Sequence, residues 1–408
     1  MRVSPSAHLT YCTNIHPGES WPEIRRNLET HVAAVKDRVA GGRPFGVGLR
    51  LGAAAVAELR RPGESAALRG WLDSCGLYVF TLNGFPYGPF HGEPVKGRVY
   101  RPDWQEDERL QYSNELAELL AELLPHEGGI EGSVSTVPGC DKARGQSAGA
   151  AIAMADRLIQ HAAHLVKLRE RTGRIVTLAL EPEPCCFLET VAETTAFFEE
   201  HLFPRAARAR LCELTGLEEG AAEEALRRHL GVCLDACHAA IEFEDPTAAI
   251  RSLQGAGIRI LKIQLSAGLR VLCVDAQSLR ALQQFAEGVY LHQVVARAPG
   301  GELTRYLDLP EALAAAGARA PIAGEEWRVH FHVPIFRADL GPFGSTQGFL
   351  AELCALQARE GLSSHLEVET YTWDVLPEAL RGEPIADAIA RELRWAAERV
   401  GSPTEALQ

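Results

Sequence analysis

The chain carries 10 cysteines among 408 residues but no Cys-x-x-Cys pair. That removes zinc-knuckle and thioredoxin-type readings, and leaves the cysteines as reduced, several of them small core residues. No apolar run approaches the roughly 18–20 residues of a membrane-spanning helix. The opening MRVSPSAHLTYC has no apolar stretch of signal-peptide type. The expectation is a cytoplasmic protein without membrane insertion. No Lys/Arg-rich block interrupts a formal net charge of −13, which argues against nucleic acid as a partner. No GxGxxG follows the first strand and no GxxxxGK[ST] occurs, so the usual phosphate-cradling loops are missing. Without repeats, low-complexity tracts or Pro/Ser linkers, residues 1–408 read as a single domain with a C-terminal helical extension.

What is present is an apolar fraction of 46%, ample for a full core, arranged as short apolar runs alternating with helical patterns. The candidate strands are HLTYCTN, FGVGLRL, LYVFTLN, IEGSVSTV, IVTLALE, GVCLDAC, RILKIQLS, VYLHQVVA, WRVHFHVP and HLEVETYTW. Three helices are well marked. DWQEDERLQYSNELAELLAELLP has Asp103 and Glu106 at capping-box spacing and stops at Pro125. SAGAAIAMADRLIQHAAHLVKLRERTG ends at Gly173, and STQGFLAELCALQAREG at Gly361. Such alternation predicts an α/β protein with a parallel sheet, and right-handed crossovers leave an open doubly wound sheet or a closed barrel. The candidates exceed the eight strands of a barrel. Two are therefore expected in insertions, most naturally IEGSVSTV and either VYLHQVVA or RILKIQLS. VYLHQVVA and LTRYLDL, joined by APGGE, read as a hairpin outside the barrel.

Four stretches place metal-ligand chemistry at the ends of apolar strands: LALEPEP, VCLDACH, RVHFHVP and HLEVETYTW. A charge there is costly unless it is paired or bound to a metal. The β/α barrel gathers strand ends on one face, so these stretches favour a (β/α)8 TIM barrel with one composite site. The metal-ligand candidates are Glu181, Asp235, His238, His330, His332 and Glu369. Glu181 and Glu183 share parity, and Glu183 reads as a second ligand or a base; an ion pair with an arginine is the structural alternative. Asp235-x-x-His238 lets a strand carboxylate and a loop imidazole reach one ion, although a lone histidine is more often a capping residue. His330 and His332 fall on one strand face, as two ligands or as one ligand and one core histidine. Glu367 and Glu369 share a face and repel unless a cation or proton intervenes; Glu369, nearer the strand end, is the preferred ligand. Lys262 and His292 are further acid/base candidates. Asn14, His16, Asn83, Gln264 and Arg297 are candidate substrate contacts, and LNGFPYGPFHG reads as a loop that covers a small ligand. Mixed oxygen and nitrogen donors suit manganese, cobalt, iron or zinc better than calcium.

Glu-Pro-x-Pro after an apolar strand, Asp-x-x-His on the next, and a terminal Glu resemble the xylose isomerase-like TIM-barrel superfamily of sugar isomerases, ketose epimerases and metal-dependent apurinic endonucleases. Glu183 stands where the aldose isomerases carry lysine, and Gln264 stands about where the epimerases carry a histidine ligand. His-x-His takes the place of the endonucleases' Asp-x-His. Over nearly the whole chain, LTYCTNIHPGESW, LNGFPYG, STVPG, LALEPEPCCFLET, CLDACHAA, KIQLS, YLHQVVAR, RYLDLP, WRVHFHVPIF and HLEVETYTWDVLP resemble the EboE family of metabolite traffic proteins. That resemblance implies a xylose isomerase-like barrel with insertions, work on secondary-metabolite precursors, and other proteins of the same gene cluster as partners. Three functions are expected from the residues and the resemblance together. The first is a metal-dependent isomerase or epimerase of a sugar phosphate or cyclitol. The alternatives are a metal-dependent hydrolase of a small phosphoester and a non-catalytic carrier of a polyhydroxylated or phosphorylated metabolite.

Overall fold

The computed structural model describes residues 1–91, 94–125 and 129–401. Thirteen strands follow one another: β1 (His8–Tyr11), β2 (Phe45–Arg50), β3 (Leu77–Asn83), β4 (Gly132–Thr136), β5 (Val176–Leu180), β6 (Leu230–Asp235), β7 (Arg259–Leu265), β8 (Leu269–Val271), β9 (Val294–Arg297), β10 (Leu303–Tyr306), β11 (Glu326–Val329), β12 (Gly344–Ser345) and β13 (His365–Val368). Eight form one parallel sheet in the order β1-β13-β7-β6-β5-β4-β3-β2. A bridge between Cys12 and Gly48 brings its two edges together, and helices alternate with the strands. The fold is a TIM barrel.

Thr10 stitches the seam. Its hydroxyl donates to the carbonyl of Gly46 at 2.7 Å and accepts the N–H of Gly48 at 3.0 Å. The glycines of FGVGLRL are there for space. A Cβ on Gly48 would lie 1.6 Å from Glu367 Oε1, and one on Gly46 would lie 2.5 Å from the Phe80 ring.

The strands are buried along almost their whole length, as parallel strands covered on both faces must be. Helices Ala150–Thr172 and Gln347–Glu360 end on Gly173 and Gly361 with φ of 70° and 62°, the left-handed cap that glycine adopts without strain. The helix expected from Asp103 starts a turn later, at Asp107. Glu106 does accept the Asp103 N–H at 2.9 Å, but this closes the preceding turn. Helix Ile385–Val400, at the place of the expected C-terminal extension, packs on Ala33–Val39 and Gln347–Glu360 and completes the outer ring.

Between β7 and helix Gln347–Glu360 lies a second sheet, antiparallel in the order β10-β9-β11-β8-β12. It corrects two expectations: IEGSVSTV supplies the barrel strand β4, and WRVHFHVP belongs to the insertion. Of the two candidates left open, RILKIQLS supplies β7 and VYLHQVVA joins the insertion. The β9–β10 hairpin forms outside the barrel as expected, with Arg297 opposite Leu303. RVHFHVP leaves its ladder after Val329, so the two histidines do not sit on a strand face. Instead residues 330–335 cross the barrel mouth. Their backbone is satisfied piecemeal: His330 N–H donates to Gln293 O at 2.8 Å, and Val333 N–H to Ala267 O at 2.9 Å.

Candidate metal centre

The C-terminal ends of β5, β6 and β13 bring three buried carboxylates together. One oxygen from each of Glu181, Asp235 and Glu369 lies within 4.8 Å of the others. Burial and the negative neighbours push the Glu181 and Glu369 carboxyls well above the usual range. Asn14 donates to Glu369 Oε1 at 2.7 Å. Asp235 Oδ1 accepts the His238 N–H at 2.8 Å, capping the short helix Ala236–Ile241, and the Ser266 hydroxyl at 2.8 Å. Its Oδ2 is buried without a hydrogen-bond partner.

Beside this cluster stand the three histidines, each held by Nδ1. His238 Nδ1 faces Pro182 O at 2.9 Å, His332 Nδ1 faces Glu369 O at 2.9 Å, and His330 Nδ1 faces Gln293 Oε1 at 2.7 Å. A carbonyl oxygen only accepts, so each Nδ1 carries the proton. Burial holds the His330 imidazole neutral and lowers that of His332 to about 4. The Nε2 atoms of His330 and His332 are therefore bare lone pairs. Yet His330 Nε2 lies 3.1 Å from His238 Nε2 and 3.2 Å from His332 Nε2. Lone pairs that close repel unless a cation lies between them. Separations of this size suit nitrogens each about 2.0–2.1 Å from a shared ion, their other ring nitrogens oriented by carbonyls. Further donors reach the same ring: Glu183 groups with His238 and His330, Asp235 with His238 and His332, and Cys237 with His330 and His332, each within 4.8 Å. An orphaned carboxylate oxygen, converging imidazole Nε2 atoms and crowded carboxylates together fit a divalent cation.

Glu183 closes one side. Its Oε1 accepts the Tyr100 hydroxyl at 2.7 Å and Gln293 Nε2 at 3.0 Å, while Oε2 is buried and unpartnered. Glu181, Glu183, His238, His330 and Glu369 line one cavity, together with Asn14 and Asn83. The loop after β3 covers it through Phe85, Pro86 and Phe90. Tyr87 of the same loop packs on Tyr112.

Other candidate residues stand elsewhere. Lys262 is fully buried one layer down, 2.5 Å from Glu367 Oε2. Its Nζ also donates to Asn83 Oδ1 at 2.9 Å, and that ion pair raises its pKa; a lysine locked in its charged form inside the barrel moves no proton. Gln264 donates to the same oxygen at 3.2 Å and does not line the cavity. His292 sits behind the site, its ring nitrogens taken by His330 O at 3.0 Å and Glu287 Oε1 at 2.8 Å; it supports the histidine segment and does not face the cavity. His16 is spent on the Tyr11 hydroxyl at 3.0 Å and stacks on His31. Arg297 pairs with Glu326 at 2.8 Å in the insertion and lies over Phe243. Tyr100 and Gln293, which hold Glu183 in place, carry no sequence signal: one is in a short turn, the other beside a more conspicuous histidine.

No family model and no curated protein matches the chain. Solved structures do. A xylose isomerase-like TIM barrel protein from Mycobacterium smegmatis, in complex with magnesium, is 10% identical, covers 100% of both chains and superposes with a TM-score of 0.53. The probable 3-DHS dehydratase AsbF from Bacillus anthracis is 14% identical over 95% of this chain and 97% of its own, with a TM-score of 0.46. A xylose isomerase domain protein from Planctomyces limnophilus is 14% identical over 97% and 96%, also at 0.46. At such identities the likeness is one of fold: like the Mycobacterium smegmatis protein, the chain is a TIM barrel.

Proposed function

We propose that this protein is a metal-dependent enzyme that isomerises or epimerises a small polyhydroxylated metabolite by proton transfer. The observation that carries the reading is the convergence of three imidazole Nε2 atoms beside the Glu181–Asp235–Glu369 cluster. Glu181, Asp235 and Glu369, with His238, His330 and His332, would hold the ion or ions. A bound divalent ion would supply Lewis acidity toward a substrate carbonyl or hydroxyl. Glu183 Oε2 is the group free to take up a proton in the cavity, while Tyr100 and Gln293 fix the other oxygen and so its orientation. The loop of Phe85 and Phe90 would shield the reacting groups from water. The motif resemblance to the EboE family supports a role in processing a secondary-metabolite precursor beside other proteins of that gene cluster. The magnesium in the Mycobacterium smegmatis neighbour is consistent with a divalent ion in such a barrel; the nitrogen donors here favour manganese, cobalt, iron or zinc.

A second reading has an observation of its own. A nitrogen-rich cluster adjoins an oxygen-rich one, with Asp235 common to both, an arrangement suited to more than one ion and hence to phosphoester hydrolysis. Elemental analysis of protein purified without chelator tests both readings. About one ion per chain supports the isomerase, and two or more favour the hydrolase. Less than about a tenth of an ion per chain, with no uptake on titration, sinks both.

A further inference from the structure

We infer that the substrate is an uncharged polyol carrying an apolar ring or alkyl group, and that phosphorylated substrates are excluded. The inference rests on the proposed function and concerns the walls of the same cavity. Its floor is the polar cluster; above the floor it is lined by Phe85, Phe90, Val95, Val99, Tyr290 and Leu291. These come from the loop after β3 and from the insertion, and they form a surface with few groups able to solvate a charge. Among the described residues lining the cavity the sole cation is Lys96, and it is already spent. Its Nζ lies 2.6 Å from Asp308 Oδ2 and donates to Glu287 O at 3.2 Å. Asp308 is itself anchored by the N–H groups of His292 at 3.1 Å and Leu309 at 3.0 Å. Freeing the lysine would leave that carboxylate without its partner. Arg98 and Arg101, the arginines nearest in sequence to Val99, do not line the cavity: Arg98 donates to Pro94 O and Arg101 pairs with Glu106.

A phosphate carried away from the reacting end of a substrate would meet aromatic and aliphatic side chains, and a dianion buried without a partner is costly. The same walls reward apolar surface, since every part of a ring placed against them leaves water. The polar floor takes the hydroxyls and the walls take the rest of the molecule.

Calorimetric titration of metal-loaded protein with myo-inositol, inositol monophosphate and an O-benzyl inositol tests this. The O-benzyl compound should bind about tenfold tighter than inositol, and the monophosphate about tenfold weaker or worse. Val99→Lys, which puts an unpaired cation into the wall, should bring the monophosphate up to inositol's affinity with metal content unchanged. A monophosphate that binds the wild type as tightly as inositol or tighter overturns the inference and favours the hydrolase reading. Failure of all three to bind the loaded protein also overturns it. Metal content of the same sample separates the levels: an empty centre takes down the proposed function and this inference together, whereas a loaded centre with the reversed order takes down this inference alone.

Discussion

Two carboxylates two residues apart are given different work by their partners. Glu181 faces Asp235 and Glu369, with which it can share a cation. Glu183 has one oxygen tied to Tyr100 and Gln293 and the other free. Glu183→Gln should therefore keep the metal while lowering turnover about a hundredfold, the scale of losing a general base. Solvent-deuterium exchange into candidate cyclitols reports the step directly. Undiminished exchange would rule Glu183 out as the base, and loss of metal would make it a ligand. Asp235 invites the complementary test. An asparagine keeps the oxygen that caps Ala236–Ile241 and accepts from Ser266, but it removes a negative charge from a crowded cluster. Asp235→Asn should lose metal affinity by about tenfold or more while the metal-free melting temperature stays level or rises. A variant that unfolds, from a wild type that never bound metal, would make Asp235 a structural residue.

At the level of elements, most of the barrel was legible because parallel strands are short apolar runs and the site residues follow them directly. Glu181, Asp235 and Glu369 were readable as strand-end carboxylates for this reason, and Glu367 and Glu369 divide as their positions suggest: Lys262 neutralises the inner one and the outer one reaches the cavity. The insertion was less legible. WRVHFHVP alternates like a strand, and nothing local says that its ladder ends at Val329, because the partners that pull His330 and His332 across the mouth are Gln293, Ala267 and Glu369, far away in sequence. Arg297, expected at the site, stands in the second sheet, because a polar side chain on a strand does not announce which sheet that strand joins. The seam between β1 and β2 gives this scale its own test. Gly48→Ala drives a methyl group into Glu367, whose carboxylate is held by Lys262 and Asn83. The variant should lose about 3 kcal/mol, at the upper end of overpacking. Gly42→Ala, which meets nothing within 4 Å, is the control. Equal melting temperatures for the two would show that the seam relaxes freely.

Across the whole molecule, one buried acid joins the parts that build the site. Glu392, on helix Ile385–Val400, accepts the Ile335 N–H at 3.1 Å and the Thr370 hydroxyl at 2.8 Å through the same oxygen. It thus ties the outer ring to the histidine segment and to the end of the strand that carries Glu369. Burial, opposed by these two hydrogen bonds and aided by the negative charge of Glu383, raises its carboxyl to about 7. The folded state therefore binds its proton more tightly than the unfolded chain, whose glutamates titrate near 4.3. Below that lower value the group is protonated in both states and its contribution to stability is fully present. As pH rises toward 7 the unfolded chain gives up the proton first, so stability falls with pH until the folded carboxyl also ionises. Between pH 5 and 8 the loss should be on the order of 2–3 kcal/mol. Glutamine keeps the accepting oxygen and has no proton to lose. Denaturant unfolding of the wild type and Glu392→Gln at both pH values isolates this group from Glu242 and Glu244, which burial also raises to about 7 and which both proteins share. The two should be similar in stability at pH 5, with the variant ahead at pH 8. Curves that fall in parallel would mean that Glu392 is solvated well enough to ionise at its ordinary value, and that the junction between ring and site is looser than its hydrogen bonds imply.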